Sequence, residues 1–147
     1  MHAIAARDKR IPVPPSPRLR YRTRVHLLLV MCGGALGAGL RHLTGRAALA
    51  LMGPGWPWGT LTVNLVGGLA MGVLVGTFAR AGASEPLRLL LGVGVLGGFT
   101  TFSAFSLDVV TMVERGALAA AASYALLSVA GSVLALFGGL ALARGVA

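Results

Sequence analysis

The chain has 147 residues, 56% of them hydrophobic and 12% charged, and its 22 glycines outnumber its seventeen charged side chains. Its mean hydropathy is +0.81, whereas a soluble domain carries about 25% charged residues, so an ordinary water-soluble globule is excluded. The formal charge is nonetheless +9, and seven of the thirteen basic residues (Arg7, Lys9, Arg10, Arg18, Arg20, Arg22 and Arg24) fall in the first 24 positions. A basic extension ahead of an apolar body reads as a membrane protein and not as a nucleic-acid binder.

The lone Cys32 excludes an internal disulfide framework, and His2, His26 and His42 show no metal-ligand spacing. Residues 1–24 hold Pro12, Pro14, Pro15 and Pro17 among the basic residues and are expected to be a flexible tail, too poor in apolar surface to fold. Residues 25–147 are expected to form one all-α integral membrane domain of four transmembrane helices, over about 25–52, 58–78, 87–113 and 117–142. Each stretch approaches the ~20 residues that a helix needs to cross ~30 Å of hydrocarbon.

The breaks between them are chemically distinct. Gly53-Pro54-Gly55-Trp56-Pro57-Trp58 makes the first and places two Trp where an interfacial belt would lie. Arg80–Pro86 makes the second, and Glu114-Arg115-Gly116 the third, a tight helical hairpin. Small residues recur at four-residue spacing in every span: Gly33 and Gly37, then Gly68, Gly72 and Gly76, then Gly94 and Gly98, then Gly131 and Ala135. That spacing lets helix backbones approach closely in lipid. Four short helices enclose little interior, so a pathway needs a second subunit and a dimer is expected.

Polar side chains inside apolar spans point to function, because an unpaired one in hydrocarbon costs several kcal/mol. Arg41 lies late in the first span. Asn64, in the second, reads either as interhelical glue or as an NH₂ donor facing a passing anion. In the fourth span Tyr124, Ser128 and Ser132 stand at i, i+4 and i+8 and form one hydroxyl stripe. Single serines usually bond their own helix, whereas three in line favour a wetted track.

The third span is unusual. Gly97-Gly98-Phe99-Thr100-Thr101-Phe102-Ser103 gathers poor helix formers where a helix should continue. A helix broken mid-membrane is expected, since such a break is tolerated where it is buried in protein or lines water, and it frees carbonyls for a cation. The alternative is an intact helix with back-bonded hydroxyls. Phe102 and Phe105 project to one side just beyond; they serve either as packing or, edge-on, as contacts for a small anion.

Three segments carry a family resemblance: Gly33-Gly34-Ala35-Leu36-Gly37-Ala38-Gly39-Leu40-Arg41, Gly59-Thr60-Leu61-Thr62-Val63-Asn64-Leu65-Val66-Gly67, and Gly97-Gly98-Phe99-Thr100-Thr101-Phe102-Ser103-Ala104-Phe105-Ser106. In order and spacing they resemble the signature segments of the CrcB/Fluc fluoride channels. The resemblance covers about residues 28–143.

It implies an antiparallel, dual-topology dimer with two fluoride pores and a central structural Na⁺ held by backbone carbonyls matching Gly97 and Thr100. The implied fluoride pathway comprises Asn64, Phe102, Phe105 and Ser103, with the hydroxyl track Tyr124, Ser128 and Ser132, and Arg41 in the pore or vestibule. One departure is Ala104, where the family usually has Thr; it removes a hydroxyl and bears on conduction rate. The implied function is passive fluoride export across the inner (cytoplasmic) membrane, conferring fluoride resistance, and not an enzymatic activity. Two rivals are a proton-coupled four-helix exporter, for which Asp108 is the candidate carboxylate, and a non-transporting membrane scaffold.

The charge then becomes a matter of topology. With four spans both termini share one side, which holds the seven tail residues with Arg80, Arg88 and Arg144, against Arg46 and Arg115 opposite. That bias favours a cytoplasmic N-terminus, whereas a homodimer of antiparallel subunits needs near-equal insertion both ways. Either residues 1–24 are a start-site artefact, or the partner is an oppositely inserted homologue. Tag-accessibility measurements on intact cells test this: the full chain should expose its N-terminus to the cytoplasm alone, and a chain starting at residue 25 should populate both orientations.

Overall fold

The computed structural model describes residues 17–145, and every regular element among them is helical. The elements are α1 (Pro17–Met52), α2 (Trp58–Ala81), α3 (Glu85–Leu87), a π-helix (Arg88–Leu96), α4 (Gly97–Phe99), α5 (Phe102–Glu114) and α6 (Leu118–Gly145). Four helical stretches are long and apolar enough to cross a membrane: Tyr21–Met52, Trp58–Ala81, Glu85–Glu114 and Leu118–Gly145. Leu51 is 82% exposed and Leu126 and Leu134 each 69%. Apolar surface on that scale is stable when the surroundings are lipid tails.

The expected tail divides in two. Residues 1–16 lie outside the described residues, whereas 17–24 are the first turns of α1. Pro17 stands at the first helical position, where its missing N–H costs nothing, and the Leu and Arg residues that follow are good helix formers. At 1.5 Å per residue, α1 runs about 54 Å, longer than the ~30 Å hydrocarbon core. Arg22 Nη2 donates to Glu85 Oε2 at 2.7 Å, and His26 Nδ1 lies 3.9 Å from Glu85 Oε1, so this end of α1 is tied to the start of the third span. Both partners of the Arg22 pair are well exposed, which limits its worth to about 1 kcal/mol or less.

The connections are short because their ends terminate cleanly. Gly82 (φ 70°) follows α2, with its N–H on the Phe78 carbonyl. Gly116 (φ 74°) reverses the chain between α5 and α6. Both occupy left-handed conformations that suit glycine. At the α1–α2 connection the two Trp rings are half-buried. Trp56 meets the edge of Tyr124 with centroids 5.8 Å apart, and both Trp pack on a core of Leu61, Phe105 and Tyr124.

The small residues place the helices. α2 lies against α6 along its glycine row, where a Cβ on Gly68 would come 2.6 Å from the Ser132 carbonyl oxygen. α1 lies against the π-helix and α4, where a Cβ on Gly37 would come 2.8 Å from the Phe99 nitrogen. In lipid no hydrophobic effect drives helices together, so this backbone proximity carries the association.

The same contacts give a stability test. Gly37→Leu should lower thermal stability in detergent by about 1–3 kcal/mol or prevent folding, as overpacking does. Gly39→Leu, where a Cβ meets nothing within 4 Å, should leave the melting temperature close to wild type.

Candidate functional site

Thr100 and Thr101 are extended (ψ 160° and 124°) between α4 and α5, so two peptide groups there leave the helical hydrogen-bond ladder. Asn64, from the opposite helix α2, replaces what is lost. Its Nδ2 donates to the Thr101 carbonyl at 3.0 Å, and its Oδ1 accepts the Thr101 N–H at 2.9 Å. The two bonds are reciprocal, so only one orientation of the amide satisfies both. Thr101 also caps α5, its hydroxyl accepting the Ala104 N–H at 3.2 Å. A hydroxyl residue immediately ahead of a fresh helical turn is an N-cap signal, and it marks Thr101 as a site residue that the choice of Ser103 passed over.

The third-span hydroxyls are largely engaged with the protein. Thr100 Oγ1 donates to the Leu96 carbonyl and Ser106 Oγ to the Phe102 carbonyl, the back-bonding that a bland reading expects. Ser103 Oγ lies 3.2 Å from Thr101 Oγ1 and is exposed.

A cavity of about 420 Å³ lies beside this interruption, between α2, α5 and α6. Asn64, Phe102, Phe105, Ser128 and Ser132 line it together with Thr100 and Thr101. All the polar groups in that set are neutral. Asn64 has a second Nδ2 proton beyond the one given to Thr101. Ser132 Oγ is buried without a hydrogen-bond partner, and Ser128 is 3% exposed. The rings of Phe102 and Phe105 are 5.4 Å apart at 47°. Phe105 is 8% exposed but Phe102 is 76% exposed, so one wall of the cavity is open on the single chain.

Three expected pathway residues lie elsewhere. Tyr124 is fully buried behind Phe105, and its hydroxyl donates to Asp108 Oδ2 at 3.1 Å, so it shares the helical face of Ser128 and Ser132 without lining their cavity. Asp108 itself lines a groove with Trp56 and Arg115 near the α1–α2 connection. No local signal joins residues 16 apart in two helices. Ser103 does not line the cavity. Arg41 reaches the interruption from the α1 side, its Nη1 3.5 Å from the Thr100 carbonyl oxygen.

The carbonyls of Gly97 and Thr100 are hard oxygen donors of the kind that hold Na⁺ at unwound helices. Gly97 is exposed, and the Thr101 N–H that would ordinarily cover its carbonyl goes to Asn64 instead. This fits a cation ligand. Thr100 is faced by the Arg41 guanidinium, so the single chain offers one free carbonyl and one shared.

Four apolar spans around a neutral, polar-lined cavity define the class: a multi-pass, all-helical membrane protein. A family model described as CrcB-like protein, Camphor Resistance (CrcB), matches residues 28–140. The chain is 61% identical over 122 residues to a fluoride-specific ion channel FluC of Chelativorans sp., covering 82% of this chain and 98% of the relative. It is 56% identical over 119 residues to a protein of the same name from Mesorhizobium japonicum (81% and 96%), and 57% identical over 120 residues to one from Novosphingobium aromaticivorans (80% and 95%). This chain belongs to the CrcB family, as its three signature segments indicated.

The double hydrogen bond predicts a cost for removing Asn64. Asn64→Ala leaves the Thr101 N–H and C=O without partners, at about 1–3 kcal/mol each, and should depress the melting temperature in detergent. An unchanged melting temperature would show that the amide does not hold the interruption.

Proposed function

We propose that this chain forms a fluoride-selective channel that passively exports F⁻ across the cytoplasmic membrane and so relieves fluoride toxicity. The observation that carries the reading is the cavity where Asn64, two Phe rings, Ser128 and Ser132 converge with no charged group among them. The names of the relatives, fluoride-specific ion channels, agree with it.

Fluoride is small and tightly hydrated, so a pore must replace water with polarised donors and yet release the ion. Conduction needs binding that is neither absent nor tight. The free Asn64 proton, the Ser128 and Ser132 hydroxyls and the positive edges of the Phe102 and Phe105 rings meet that demand without a fixed cation. An inside-negative potential moves the anion outward at about 2.3 kcal/mol per elementary charge per 100 mV. Export therefore needs no enzymatic step and no energy-coupling site. The groove at Asp108, Trp56 and Arg115 serves as a mouth, with Tyr124 joining it to the track through the bond to Asp108.

The functional unit in this reading is an antiparallel dual-topology dimer, a homodimer or a pair with an oppositely inserted homologue. The strongly exposed Phe102 supports it, because that cavity wall needs closing by a second subunit. The helical interruption at Thr100 and Thr101 then lies at mid-membrane depth. The Gly97 and Thr100 carbonyls would hold a structural Na⁺ between subunits, where a cation clamps two interruptions together; Arg41 positions the Thr100 carbonyl. A proton-coupled exporter is less well supported, because Asp108 is hydrogen-bonded to Tyr124 and stands outside the cavity.

Fluoride-electrode recordings from proteoliposomes test the assignment. Wild-type protein should release fluoride and retain chloride, with no dependence on a proton gradient. Phe102→Ile and Phe105→Ile should each slow efflux about tenfold, the effect of removing some 1.4 kcal/mol of ion stabilisation. Undiminished efflux from both variants would remove the rings from the pathway.

A further inference from the structure

A second cleft, of about 430 Å³, opens between α2 and the π-helix; Met71 also lines the first cavity, but none of the residues assigned to fluoride lines this cleft. Leu74, Val75, Phe78, Leu89 and Val93 form its walls, and Glu85 and Arg88 stand at one end, next to the α2–α3 connection. Its origin lies in the packing on the far side of the π-helix. There a Cβ on Gly94 would come 2.9 Å from Gly33 Cα, so the third span is drawn hard against α1 and away from α2. Gly92 adds room, because even a Cβ there would reach only Leu74 Cδ2, at 3.7 Å. π-helical turns are rare and are frequent at functional sites.

The two charged residues at the mouth are not equivalent. Glu85 is engaged by Arg22 at 2.7 Å and approached by His26 at 3.9 Å. Arg88 is exposed and has no ion-pair or hydrogen-bond partner among the described residues. The cleft thus presents one uncompensated cation at its polar end and an apolar trough behind it. From Phe78 to Met71 the trough follows about 10 Å of helix, and Val75 and Val93 on its lips are 50% and 56% exposed. Arg88 follows directly on the single turn of α3, close to the chain reversal and therefore near headgroup depth.

We propose that this cleft binds an anionic phospholipid, with the headgroup phosphate on Arg88 and one acyl chain along Leu74, Phe78 and Val93. Charge complementarity selects this occupant: a free guanidinium beside an apolar trough matches an amphiphile with a negative head. Basic pockets between transmembrane helices hold anionic headgroups by the same chemistry, and Arg suits phosphate because its planar fork donates two parallel bonds. The bond from Arg22 to Glu85 takes part, since it occupies the carboxylate that would otherwise neutralise Arg88 or repel the phosphate.

Native mass spectrometry of the full chain released from detergent tests the site, after equilibration with phosphatidylglycerol or with phosphatidylcholine. Wild-type protein should retain phosphatidylglycerol in preference. Arg88→Gln, an exposed change that leaves packing intact, should cut that retention about tenfold, the loss of one charge-assisted phosphate contact, and abolish the preference. Gly92→Leu, which fills the trough, should remove retention of both lipids. Equal retention of phosphatidylglycerol by wild type and Arg88→Gln would overturn the proposal. So would displacement of the lipid by inorganic phosphate alone, or a change of oligomeric state in Gly92→Leu with lipid retention intact, which would make the cleft a subunit contact. The readout is lipid retention, so its outcome is separate from that of the fluoride measurements.

Discussion

The site depends on two hydrogen bonds between one side chain and the backbone of one residue. Thr101 leaves the helical ladder, and in a lipid-embedded protein its N–H and C=O have no water to fall back on. The Asn64 amide satisfies both, at 2.9 and 3.0 Å. That pairing links α2 to the junction of α4 and α5. Phe102 and Phe105 begin α5, so their position beside the cavity follows from it. Asn64 can do this and still present a donor to the cavity because a carboxamide has two N–H groups. A serine would lack the reach and the second donor, and a carboxylate would lack both donors.

The packing that surrounds this junction has a different physical origin. Lipid tails are as apolar as leucine, so burial of Leu and Val contributes little to bringing helices together. Glycine contacts do it instead: the rows on α1 and α2 admit the π-helix and α6 to near-backbone distance. The close approach of the π-helix to α1 has a consequence on its other side, where α2 is left with an apolar cleft. Polar chemistry and helix packing are therefore separable, with Asn64 governing the first and the glycine rows the second.

The two sides of the Thr100–Thr101 interruption carry opposite electrostatic demands. On the α2 side the cavity is lined by neutral donors suited to an anion. On the α1 side carbonyl oxygens face out, and Arg41 meets one of them at 3.5 Å. The cavity's donors come from side chains on α2 and α6, Asn64, Ser128 and Ser132, whereas the carbonyl that meets Arg41 belongs to the unwound segment itself. The wall at Phe102 is open on the single chain.

Much of this was legible in residue order. The four apolar stretches, the glycine spacing and the three signature segments each rest on local composition or period, which a single chain displays directly. The membrane class and the CrcB membership follow from them. Other features required the folded chain. Pro17–Arg24 reads as tail by charge and proline content, yet Pro17 opens a helix that Glu85 helps to hold, a partner 63 residues away from Arg22. Tyr124 shares a helical face with Ser128 and Ser132, but the choice between lining the cavity and bonding Asp108 is made by where α5 lies. Asn64 could be read as glue or as donor, and only the reciprocal geometry with Thr101 shows how one amide is placed to serve as both. Sequence by itself determined which segments enter lipid and which polar groups must find partners there, because hydropathy and helical period act locally. Tertiary structure alone decided which partners they found, because a hydrogen bond within 3.5 Å depends on how separate helices are packed.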